Sequence, residues 1–102
     1  MSIQFRPLGK VREMIQSIGL DISYAYDDLV FADHSLFIIQ FDDKKSNFLK
    51  LFFNVDCEAQ ELKRIEKLLG AEAQLAGLII EKKGTFSLQQ KVEEEELELT
   101  FH

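Results

Sequence analysis

The sequence predicts an α+β fold, an antiparallel sheet of five or six strands with two helices in the order αβββαββ, the further strand falling at the C-terminal end. Three observations carry this. Two segments place apolar residues three and four positions apart, the period of a helix with one buried stripe. The remaining apolar segments are short and either alternate or run unbroken between polar turns, as strands do. The chain has 102 residues, 46% of them hydrophobic, which suits a single α+β domain over 1–102 and is too little for two ordinary cores.

The first helix is expected over 7–18, with Leu8, Val11, Met14, Ile15 and Ile18 on one stripe, Pro7 in the first turn and Gly19 as the left-handed stop. Ile22, Tyr24 and Tyr26 then alternate with Ser23, Ala25 and Asp27, which predicts a strand at 21–26 with one face buried. A short strand at 29–32 ends at the turn cluster Asp33-His34-Ser35. The runs 36–41 and 48–53 are the most apolar of the chain and are separated by the polar loop 42–47, so they are expected to pair at the centre of the sheet. Asn54 or Asp56 can cap a second helix with Ala59, Leu62, Ile65, Leu68 and Leu69 inside and Gly70 at its end; 71–76 can add a turn. Residues 78–80 and 85–89, either side of Lys82-Lys83-Gly84, read as a second hairpin. Leu97, Leu99 and Phe101 alternate with polar residues as a last edge strand within an acidic segment, 91–102.

Composition narrows the function classes. The formal charge of −6 opposes nucleic acid as a partner, since phosphate recognition depends on clustered Lys and Arg. No apolar run approaches the length of a membrane span. The residues from Met1 to Pro7 have neither a secretory signal's apolar core nor a transit peptide's composition, and one cysteine fits a reducing compartment, so the cytoplasm is the expected location. Isolated glycines give no phosphate-binding loop, and two histidines give no zinc site; no cofactor or metal is expected.

Each chemically suggestive residue has a structural explanation beside the functional one. Cys57 near a helix N-terminus can be an activated thiol, but Asp56, Glu58 and Glu61 oppose a thiolate, and a structural cysteine is expected. Asp33, His34 and Ser35 carry the letters of a catalytic triad, yet adjacent turn residues do not converge. Asp27-Asp28, Asp33 and Asp42-Asp43 can meet at one end of the sheet as a cation site, but solvated turn residues are the better explanation. The run from Glu93 to Glu96 reads as a solvated guard against edge pairing; with one lysine and five glutamates, 91–102 carries −4 of the chain's −6.

The most informative pattern lies in the two central runs. Phe37, Ile39 and Phe41 share one face with Leu36 and Ile38 on the other, and Leu49, Leu51 and Phe53 oppose Phe48 and Phe52. If both helices cover the same side, Leu36, Ile38, Phe48 and Phe52 form an apolar surface for a partner. A homodimer is the commonest way to cover such a surface, and another polypeptide is the second. The expected function is therefore a non-enzymatic, homodimeric protein-binding or chaperone-like module. The alternative is a small-ligand-binding protein or enzyme with a pocket between the first helix and the sheet, drawing on Tyr24, Tyr26, His34 or Cys57. In element order, acidity and size the chain resembles bacterial secretion chaperones and related sensory-regulator domains, which implies the same homodimeric, polypeptide-holding role.

Overall fold

The computed structural model describes residues 6–90 and 97–102. Its elements are α1 (Leu8–Ser17), β1 (Ile22–Tyr26), β2 (Leu29–Ala32), β3 (Phe37–Phe41), β4 (Phe48–Asn54), α2 (Ala59–Ala76), β5 (Ile79–Gln90) and β6 (Leu97–Phe101). The six strands form one sheet in sequential order, β1-β2-β3-β4-β5-β6.

Two features correct the predicted fold class. Four strands, and not three, precede α2, because the short run at 29–32 is a full member of the sheet, paired to β1 and β3. The sheet is also mixed: β4 and β5 run parallel, and the other neighbours are antiparallel. Parallel neighbours cannot be joined by a tight turn, so α2 serves as the crossover between them.

Both helices end as glycine chemistry dictates. At Gly19 (φ 85°) the Gly19 and Leu20 amides donate to the Gln16 and Ile15 carbonyls, and at Gly77 (φ 74°) the Gly77 and Leu78 amides donate to Gln74 and Ala73. Gly70 does not end α2. The alanines at 71, 73 and 76 favour continuation, and the buried stripe runs on through Ile65, Leu69 and Ala73, which outweighs the cost of about 1 kcal/mol for one interior glycine.

The β5 strand is continuous where the sequence suggests a hairpin. A bulge opposite Leu51 and Phe52 absorbs the Lys82-Lys83-Gly84 segment without reversing the chain. Lys82 reaches Glu66 on α2 at 3.7 Å, and Lys83 lies 5.7 Å from the centre of the Phe48 ring, so the two charges go to opposite faces of the sheet.

The core lies on one side of the sheet. Val11, Met14 and Ile15 of α1 and Ile65, Leu69 and Ala73 of α2 join Val30, Phe37, Ile39, Leu49, Leu51 and Phe53 in a single buried cluster. The register pairs Phe37 with Phe53, Ile39 with Leu51 and Phe41 with Leu49, in keeping with the alternation of both strands. Since α1 also packs against α2, the two helices form one layer, and among the described residues the opposite face has no helix. No described helix is long and apolar enough to cross a membrane.

The two interior glycines of α2 and β5 should respond oppositely to alanine. A Cβ at Gly70 meets nothing within 4 Å, so Gly70→Ala should raise stability by about 1 kcal/mol. A Cβ at Gly84 falls 2.6 Å from the His102 carbonyl oxygen. Gly84→Ala should displace the chain end and lose the 2.8 Å bond from the His102 amide to Thr85, at about 1 kcal/mol. Urea midpoints of the two variants check both signs.

Candidate functional site

The face without helices is built from side chains of every strand. The register sets Tyr24 and Tyr26 of β1 beside Phe31 and Leu29 of β2, Phe31 beside Ile38, Ile38 beside Phe52, Phe86 beside Phe101, and Leu88 beside Leu99. Ile38 and Phe86 are fully buried although they lie outside the helix-side core. Their neighbours on the same face close over them: Phe101 stacks at a tilt on Phe52, ring centres 4.5 Å apart, and Tyr24 packs on Phe31 at 6.0 Å.

The sheet curls toward this side. Tyr24, Tyr26, Leu29 and Phe31 from one edge and Leu88 and Leu99 from the other line a single cavity of about 440 Å³, with Ser35 at its rim. None of these residues is charged; the Tyr24, Tyr26 and Ser35 hydroxyls are its side-chain polar groups. The tyrosines remain open to solvent, at 59% and 64% of their full exposure, as do Ile79 and Phe101 on the same face. The face is thus a trough with buried apolar floor residues and aromatic walls.

One end of the trough is shaped by strain. Asp33, His34 and Ser35 all adopt left-handed backbone, with φ of 49°, 55° and 68°. The surroundings hold them there: the His34 amide donates to Ser23 Oγ at 2.6 Å, the Asp33 amide to the Asp21 carbonyl at 3.0 Å, and Asn54 Nδ2 to the Ser35 carbonyl at 3.1 Å. The other end is basic. Lys45 and Lys83 place their ammonium groups 5.8 and 5.7 Å from the centre of the Phe48 ring. Lys50 follows on the same face, between Gln40 and Glu81 in the register.

The structure distributes the sequence-predicted residues unequally. Of the four interface candidates, Ile38 is in the trough floor, Phe52 is half-buried against Phe101, and Phe48 is half-buried between two lysines. Leu36 lies in the strained loop and packs against the helix-side core instead, because strand alternation starts only at Phe37. Tyr24 and Tyr26 line a cavity on the face turned away from α1, and not a pocket between α1 and the sheet. The trough residues Leu29, Phe31, Leu88 and Leu99 were not marked by the sequence; they come together only through the curl of the sheet.

Cys57 lies in the turn before α2, half-buried, with burial first and then Glu61 and Glu58 pushing its thiol upward, away from a thiolate at neutral pH. His34 is exposed and its backbone amide, not its ring, makes the contact with Ser23. His102 Nε2 lies 2.9 Å from Ser87 Oγ. Among the described residues no three His, Cys, Asp or Glu side chains gather as metal ligands would. The Glu93 to Glu96 run falls outside the described residues.

The turn aspartates do meet in part, around a cation of the chain's own. Arg6 forms two parallel bonds of 2.9 Å to Asp43 and a third, 3.0 Å, to the Asp27 carbonyl, tying the β1–β2 turn to the β3–β4 loop. Asp33 lies at the opposite end of the strands, beside Asp21, Ser23 and His34.

Comparison with protein-family models, with curated proteins and with solved structures found no match. The likeness to secretion chaperones rests on a three-strand order that the sheet does not have.

The Arg6 pair carries a pH dependence. Its hydrogen bonds hold the Asp43 carboxyl below the ordinary carboxylate range. A lowered acid pKa contributes stability above the unfolded value, about 4, that is lost as pH falls through the lower folded value. Asp43→Asn should therefore lower Tm at pH 6 to 7, with the gap to wild type closing below about pH 4. Thermal melts across that range check it.

Proposed function

We propose that the protein is a non-catalytic binding module whose helix-free sheet face receives an apolar segment of another polypeptide. The observation that carries this is the placement of both helices on one side, which leaves an apolar trough facing water on the other. Exposed, contiguous aromatic and aliphatic surface of this kind is the mark of an interaction site. Among the described residues that line the trough none is a nucleophile paired with a base: the hydroxyls belong to Tyr24, Tyr26 and Ser35, with no histidine or carboxylate beside them.

The shape favours a narrow, convex occupant. Opposed walls from β1–β2 and β5–β6 admit side chains of a single segment, whereas two copies of a concave surface meet only at their rims. A second copy of the chain remains the alternative occupant, and solution mass separates the two. Light scattering should show a monomer over a tenfold concentration range; a constant dimer that dissociates on Leu88→Glu would assign the face to self-association.

Occupancy has a built-in reporter. The chain has two tyrosines, both in the trough, and no tryptophan. Titration with a blocked octapeptide, leucine at its first and third positions and serine elsewhere, should change tyrosine emission to saturation. Leu88→Glu should abolish the change. Leu75→Glu, on the exposed outer side of α2 at 83% exposure, should leave it intact. An unsaturable response, or one that Leu88→Glu does not alter, contradicts the reading.

A further inference from the structure

We infer that the segment bound in the trough carries acidic residues about four positions beyond its apolar anchors, read by the lysines around Phe48. This rests on the polypeptide-binding reading and adds the partner's charge and spacing to it.

Phe52 and Phe48 lie on the same face of β4, four positions apart, a separation of about 13 Å at about 3.3 Å per residue. Phe52 belongs to the apolar end, packed on Phe101 and paired with Ile38. Phe48 belongs to the basic end, where Lys45 and Lys83 approach one ring and Lys50 stands two residues away on the same face. The carboxylates at this end are engaged: Glu81 Oε1 is 3.0 Å from Lys83 Nζ, Asp28 accepts from Gln40 Nε2 at 2.8 Å, Asp43 pairs with Arg6 at 2.9 Å, and Asp42 accepts from the Lys44 backbone amide at 2.9 Å. Among the described residues Lys45 and Lys50 have no ion-pair partner. The chain as a whole is at −6, so a basic surface continuous with an apolar trough is a local departure from its mean field. At physiological ionic strength screening acts over about 8 Å, so an acidic side chain at Phe48 interacts chiefly with Lys45 and Lys50, whose charges no ion pair among the described residues offsets.

An extended segment running along β4 presents alternate side chains to the face. Anchors at its first and third positions then set its fifth and seventh over the lysines. A helical segment would need about nine residues to cover the same 13 Å.

The experiment compares two blocked octapeptides, each with leucine at positions one and three and serine at the even positions. One has glutamate at positions five and seven, the other lysine. Tyrosine emission gives both dissociation constants. The glutamate peptide should bind about tenfold more tightly at about 50 mM salt, with the ratio falling toward one near 1 M as screening shortens below contact range. Lys45→Glu combined with Lys50→Glu should reverse the preference; Lys45→Gln with Lys50→Gln, the milder pair, should remove it. Equal binding of both peptides, each still lost on Leu88→Glu, overturns the charge inference and leaves the binding reading standing. No saturable response to either overturns both. Decanoate, which unites an apolar chain with a carboxylate, is the competing chemistry: if it displaces the glutamate peptide at concentrations well below the peptide's own dissociation constant, the occupant is a lipid-like amphiphile and the assignment to a polypeptide fails.

Discussion

The parallel pairing of β4 with β5 is the constraint on which the rest of the architecture depends. It requires a crossover, and the crossover must lie on one side of the sheet; the handedness of such connections fixes which side that is. Once α2 occupies that face, α1 gains most by packing beside it, because the stripe Val11, Met14 and Ile15 can then be buried against both α2 and the strands. With both helices on one side, the other side is left, among the described residues, to be covered by the sheet alone.

A twisted sheet meets that demand in part. Curling brings the β5–β6 pair toward β1 and β2, removes Ile38 and Phe86 from water, and sets Phe52 against Phe101. It stops short of closure. Tyr24, Tyr26, Ile79 and Phe101 stay exposed, and the cavity between the opposed edges stays open. The strained turn at 33–35 borders the same cavity through Ser35, and its left-handed residues are held from outside by Ser23, Asp21 and Asn54. The binding function proposed for this face follows from what the curl leaves uncovered.

Much of this was legible in the sequence wherever the signal is local. The stripe of α1, its stop at Gly19, the alternation of β3 and β4 and the presence of β6 all depend on neighbours a few residues away, and all appear at those positions. Non-local features were not legible. Gly70 and Gly77 are the same letter, and only Gly77 has the left-handed backbone that closes a helix. Lys82-Lys83-Gly84 has the composition of a turn, but its bulge is set by the parallel neighbour β4. The alternation of β1 identified Tyr24 and Tyr26 as one face, and could not say that the face looks away from the helices. The trough was inferable only as a conditional, because Leu29, Phe31, Leu88 and Leu99 are distant in sequence and meet through sheet curvature.

The most direct test is solvent accessibility of the trough in the free chain, measured by NMR with a soluble paramagnetic co-solute at low protein concentration. Strong relaxation of the Tyr24, Tyr26, Ile79 and Phe101 side chains is expected, with Ile38 and Phe86 as protected as Val30 and Phe53. Tyrosine rings shielded to the level of Phe53 would contradict it, since the face would then be covered within the chain itself and have no room for a partner.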